Sequence, residues 1–88
     1  MKKKEILNIL RETLSYLERE KVVFHKVELN DIIDKYKKTI LGIEIDALVY
    51  NEIHNSVKAY LEMYNDYDNP LLYQMSDAEE AVENYLSL

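Results

Sequence analysis

A single glycine, Gly42, and a single proline, Pro70, punctuate the whole of this 88-residue chain. Tight hairpins are built on residues that tolerate positive φ, glycine above all, so an antiparallel β fold has little to turn on. The same shortage excludes a Gly-rich phosphate loop and a dinucleotide fingerprint. Apolar residues recur instead at helical spacing, and no period-two run of any length appears. The expected class is all-α: one domain over residues 1–88, a compact bundle of four amphipathic helices, the last one short.

The stripes place the helices. Ile6, Leu7, Leu10, Leu14 and Leu17 share one face, and continuing that phase puts Lys21 among apolar neighbours, so the first helix is expected to break near residue 20. Three lysines at its start oppose its dipole, so that end is expected to fray. Residues 21–28 are compatible with more helix or with a small strand. Leu29, Ile32, Ile33, Tyr36 and Ile40 mark a second helix, with Asn30 placed to cap it and Gly42 placed where a left-handed terminating residue is wanted. On its outside, Asp31 with Lys35 and Asp34 with Lys38 form acid-first i,i+4 pairs. A third and longest helix is expected over about 44–65, ended by the run Asn65-Asp66-Tyr67-Asp68-Asn69-Pro70. Ser76-Asp77-Ala78-Glu79 then reads as a capping box opening the last helix, with Ala78, Ala81, Val82, Tyr85 and Leu86 inward.

Charge divides the chain unevenly. Residues 1–43 hold ten Lys/Arg and seven Asp/Glu, a balance of +3; residues 44–88 hold Lys58 and ten acids, a balance of −9, giving the overall −6. Six of the eight tyrosines fall in the acidic half. Such a surface repels a polyanionic duplex and attracts a basic protein, whose encounter it accelerates.

Most chemistry fails for want of parts. Without cysteine there is no disulfide frame, Cys-based zinc site or thiol nucleophile. His25 and His54 lack ligand-like partners at i+3 or i+4. Asp66-x-Asp68 begins like a calcium loop, but the fifth, sixth and twelfth positions are Pro70, Leu71 and Asp77. No serine has a nucleophile-elbow context, so an enzyme, a metal and a cofactor are not expected. A helix-turn-helix around Gly42 would start its recognition helix with Ile43-Glu44-Ile45-Asp46, acidic where phosphate contacts belong. No apolar run approaches a membrane span and nothing resembles a signal peptide, so a cytoplasmic chain without membrane or nucleic-acid partner is expected.

The remaining functional pattern is acid beside tyrosine. Glu79 and Glu83 are like charges at i,i+4, and no Lys or Arg follows Lys58 to offset them. Tyr36, Tyr60 and Tyr85 follow their apolar stripes and read as core. Tyr67 and Tyr73 lie in a polar connection, and Asp66 and Asp68 bracket Tyr67. Tyrosine supplies stiff, amphipathic contact area, and Lys or Arg on a partner pairs with the acids while stacking on the ring. The expected partner-binding set is Glu62, Asp66, Tyr67, Asp68, Tyr73, Asp77, Glu79, Glu80 and Glu83, on a monomer or weak dimer.

Over about residues 44–88 the pattern resembles the colicin D immunity-like group among the small acidic bacterial immunity proteins, those that neutralise bacteriocins and contact-dependent growth-inhibition toxins. The residues carrying it are Asn51-Glu52-Ile53 through Tyr60, the acid- and proline-containing stretch Tyr64 to Pro70, and the acidic segment Ser76 to Leu88. The tyrosine pair followed by Pro-Ser-Asp that marks the DNase-colicin immunity group is missing. The resemblance implies a partner class: a toxin with a basic nuclease cleft, occluded by a stoichiometric acidic inhibitor. Two other functions stay open: a phage or plasmid nucleic-acid mimic that inhibits a host enzyme, which the same surface would serve, and a helical adaptor or self-associating scaffold, which would expose an apolar stripe rather than an acidic one.

Overall fold

The computed structural model describes residues 2–87, and its elements are four α-helices and one short 3₁₀ turn: α1 (Lys3–Val23), the 3₁₀ turn (Val27–Leu29), α2 (Asn30–Glu44), α3 (Ser56–Tyr64) and α4 (Leu71–Leu86). The class is all-α, as the stripes require. The boundaries differ from the expected ones, and in each case the reason is a contact between segments.

α1 continues three residues past the expected break. Lys21 rests half-buried at the core edge, and Val22 and Val23 stay in solvent. The helix ends in a Schellman turn: the Lys26 N–H donates to the Lys21 carbonyl at 3.0 Å, with His25 left-handed at φ 55°. No strand follows. The chain passes instead into the 3₁₀ turn, which runs straight into α2 and supplies the Val27 carbonyl to the Asn30 N–H. Asn30 is therefore helical, not a side-chain cap.

Gly42 lies inside α2 and does not terminate it. The terminator is Asp46, at φ 56°, in a second Schellman turn where Ala47 donates to the Gly42 carbonyl at 2.8 Å and Asp46 to the Ile43 carbonyl at 3.1 Å. Glycine lets Leu48 pack close: a Cβ at residue 42 would stand 3.0 Å from Leu48 Cδ1 and 3.3 Å from its Cβ, tighter than an ordinary contact. With its glycine used for packing, the chain ends α1, α2 and α3 on His25, Asp46 and Asn65, and Asp and Asn are the residues that best tolerate the left-handed region after glycine. One lysine of α1 also gains a use here. Lys3 Nζ reaches Asp46 Oδ1 at 3.0 Å and the Glu44 carbonyl at 3.4 Å, placing a cation at the negative end of α2. Among the described residues the ion pairs are Lys3–Asp46, Arg11–Glu44, Lys26–Glu20 and Lys26–Asp66. The expected i,i+4 pairs of α2 are not among them.

The long third helix is not formed. Residues 45–55 are an irregular connection, and α3 is the short helix, nine residues against sixteen in α4. Asn51 breaks the helical pattern: its Oδ1 accepts the Ile53 N–H at 3.1 Å, a local turn that competes with helix, and its Nδ2 donates to the Glu79 carbonyl. α4 in turn starts five residues before the expected capping box. Asn69 Oδ1 accepts the Leu71 N–H at 2.9 Å, so Pro70 opens a helix that it was expected only to precede. Ser76 is consequently an interior helical residue.

α1 packs along both α2 and α4, and α3 lies against α4. Tyr36 and Tyr60 are fully buried with Ile6, Leu10, Leu17, Leu29, Ile43, Ile53, Met75 and Val82, while Tyr85 is only half-buried. The Tyr36 hydroxyl is buried without a hydrogen bond; Ser56 beside it is turned to Glu79.

Candidate protein-binding face

Of the nine residues expected to bind a partner, eight separate into three groups, and Asp68 stands apart beside Tyr67, lining a depression with Lys26, Asp66 and Asn69. Asp66, Glu79 and Glu83 are engaged within the chain. Asn65 turns the backbone left-handed at φ 51°, and Asp66 then points inward to a polar cluster at the junction of α1, α3 and α4. There Lys26 Nζ donates to the Tyr60 hydroxyl at 2.7 Å, Glu20 Oε1 at 3.2 Å and Asp66 Oδ2 at 3.3 Å. Asn69 Nδ2 donates to the same three oxygens, at 2.6 Å to Glu20, 2.9 Å to Asp66 and 3.1 Å to Tyr60. The ammonium also lies 4.9 Å from the Tyr64 ring centroid. Burial works against the charge on Lys26, but the hydrogen bonds to Tyr60, Glu20 and Asp66 outweigh it and raise the ammonium above its ordinary value. The Asn69 amide foremost, then Tyr60 and Lys26, hold the Asp66 carboxyl below its ordinary 3.8, against a smaller opposing effect of burial. Asp66 thus has a cation already, and Tyr67 keeps Asp68 as its one free acidic neighbour.

Glu79 caps a neighbouring helix. Its Oε1 accepts the Asn55 N–H at 2.8 Å, and its Oε2 accepts the Val57 N–H at 3.0 Å and the Ser56 hydroxyl at 3.1 Å. These are the donors at the start of α3, where a carboxylate is favoured by the unpaired N–H groups and the helix dipole. Nearby, Glu83 Oε1 accepts Asn51 Nδ2 at 2.9 Å. The absence of nearby lysines is answered by backbone amides, which a count of charges does not see.

Glu62 and Tyr67 form the second group. They line an open depression of about 680 Å³ between α3 and α4, with Lys58, Leu61, Ser76 and Glu79.

The third group is a continuous stripe. Tyr73, Asp77 and Glu80 stand at i, i+4 and i+7 on the outer ridge of α4, all exposed, Tyr73 to 79%. Among the described residues, Glu62, Asp68, Asp77 and Glu80 take part in no ion pair and no side-chain hydrogen bond.

No family model, curated protein or solved structure matches the chain. Among the described residues no helix is long and apolar enough to cross a membrane, and no three His, Asp or Glu side chains converge as a metal site.

Packing of α1 against α4 adds residues that the sequence left unassigned. Tyr16 and Val23 of α1, with Phe24 just after its end, line a depression of about 460 Å³ with Pro70, Leu71 and Gln74. Ile9 lines a second, of about 270 Å³, with Gln74, Asp77, Glu80, Ala81 and Asn84. Glu12, exposed and one turn from both Ile9 and Tyr16, joins the same side. The available clue was Tyr16, an aromatic residue off its helix's apolar stripe four positions from an acid.

Proposed function

We propose that this chain is a stoichiometric inhibitor of the immunity-protein kind, which binds and occludes a basic toxin domain, a nuclease by the chemistry of its cleft. The observation that carries the reading is the α4 ridge: Tyr73, Asp77 and Glu80, exposed together and unpartnered among the described residues. Uncompensated carboxylates beside a large exposed ring suit Lys or Arg, which pair with the acids and pack on the aromatic face. Tyr16 and Glu12 widen that surface toward α1. Inhibition is by coverage of the cleft, with nothing turned over.

The test is capture from the source cell with the wild-type chain and with Asp77→Lys/Glu80→Lys, followed by a nuclease assay of the captured protein. A one-to-one complex with a basic nuclease domain, silenced by the wild type and released by the variant, is the expected result. Capture of the same proteins by both chains, with no nuclease inhibited, overturns the proposal.

A second reading is a helical adaptor or self-associating scaffold. It is favoured by Val22, Val23, Phe24 and Val27, apolar side chains that are each more than half exposed at one end of the molecule. Sedimentation as a concentration-dependent dimer supports it; a monomer at millimolar concentration removes self-association.

A further inference from the structure

We propose that the groove along the α1–α4 seam receives an amphipathic helical segment of the partner, apolar at one end and basic at the other; this deepens the inhibitor reading and rests on it. The two depressions on this seam meet at Gln74, which lines both. Their chemistry differs. Toward the end of α1 the walls are Tyr16, Val23, Phe24 and Pro70, and Phe24 is 61% exposed with no apolar cover. Toward its start they carry Asp77 and Glu80, with Glu12 nearby on α1. One groove thus offers an aromatic half and a carboxylate half, in line.

The length and the walls favour a helix. From Leu71 to Asn84 the groove follows α4 for about 20 Å, the span of roughly four helical turns. Both walls are helices, so no sheet edge offers backbone donors and acceptors to an extended strand. Ridges on an inserted helix fit the trough between two helices, as in other helix-in-groove complexes. Charge complementarity then fixes the composition: apolar residues at i, i+3 and i+4 opposite Tyr16 and Phe24, and Lys or Arg at the same spacing opposite Asp77 and Glu80. Arg19 at the aromatic end disfavours placing the basic half there, and Glu20 beside it is already paired with Lys26.

The experiment uses the full chain, isotope-labelled, with two fluorescent helix-favouring peptides of about 16 residues. One carries Leu and Phe on two turns of one face and Lys and Arg on the same face of the other two. The second has the same composition with the apolar and basic residues interleaved. The segregated peptide is expected to bind roughly tenfold more tightly than its isomer and to shift the amides of Ile9, Gln74 and Ala81. Asp77→Lys/Glu80→Lys and, separately, Phe24→Ser are expected to lose a similar factor, with unchanged melting curves because all three side chains are exposed.

Equal affinity of the two peptides overturns the proposal, as do shifts centred on Leu61 and Tyr67. A dimer with the same amides protected also overturns it, making a second copy the occupant. Should the peptides fail while a basic nuclease is still silenced through Asp77 and Glu80, the inhibitor function stands and only the inserted helix is lost. Tight peptide binding without any inhibited nuclease removes the inhibitor function alone.

Discussion

Replacing Glu79 by alanine is expected to cost fold stability, because its carboxylate closes the start of α3 across an interhelical gap. Three donors depend on it: the Asn55 and Val57 N–H groups and the Ser56 hydroxyl, at 2.8, 3.0 and 3.1 Å. Loss of a helix cap costs about 1 kcal/mol, and loss of an anion at a helix N-terminus about 0.3–1 kcal/mol. Hydrogen bonds to a charged group are stronger than neutral ones, but the half-exposed site lets water replace part of them. A total of about 2 kcal/mol follows for Glu79→Ala. In a domain of this size that lowers the melting midpoint by about 8–16 °C. Thermal unfolding followed by circular dichroism measures it, with Glu80→Ala as the control one residue away. Glu80 is exposed and unpartnered, so its loss is expected to stay within about 0.5 kcal/mol. Hydrogen exchange gives a local readout, since the amides of Ala59 and Tyr60 are expected to exchange faster in the Glu79 variant. Equal midpoints for the two variants, with unchanged exchange in α3, would refute the cap. Charge reversal at Glu79 is therefore unsuited to testing electrostatic steering, which belongs to Asp77 and Glu80.

The other expectations concern the polar cluster, the buried hydroxyl and pH. Tyr60→Phe keeps the buried ring but removes the oxygen shared by Lys26 and Asn69, and is expected to cost about 1–2 kcal/mol by chemical denaturation; a neutral result means that water restores the cluster. Tyr36→Phe removes a hydroxyl that makes no hydrogen bond, so it is expected to be neutral or stabilising by up to about 1 kcal/mol, and a clear loss would reveal a partner in solution. The Asp66 carboxyl is depressed in the fold, so its contribution is present above its ordinary 3.8 and is lost as pH falls through the lower folded value. Lys26, Tyr36, Tyr60 and Tyr64 are raised in the fold. Their contributions are complete below the ordinary 10.5 of Lys26 and 10.0 of the tyrosines, and are lost as pH rises toward the folded values. Denaturant midpoints are thus expected to fall at both extremes of pH, and a loss confined to pH about 6–9 would refute these assignments.

What the sequence decided by itself is the class of fold and most of its core. Helical spacing placed Ile6, Leu10, Leu17, Ile33, Tyr36 and Tyr60 inside, and all are buried, because an apolar stripe has to be covered whatever covers it. Local periodicity carries that information. Helix ends and charge satisfaction were decided only by the tertiary structure. Gly42 stands where a terminating glycine is expected, yet it serves the approach of Leu48 while Asp46 takes the left-handed position. Glu79 and Asp66 read as an unanswered acidic surface because the donors that Glu79 caps are 22–24 residues away at the start of α3, and the one cation that pairs with Asp66 is 40 residues back at Lys26. A cap supplied by another helix, like a lysine folded in from a distant turn, leaves no trace in local spacing. The residues proposed to bind a partner show the same division. Tyr73, Asp77 and Glu80 share a face by helical period alone, but only the packing of α1 on α4 brings Asp77 and Glu80 into line with Tyr16 and Phe24 along one seam.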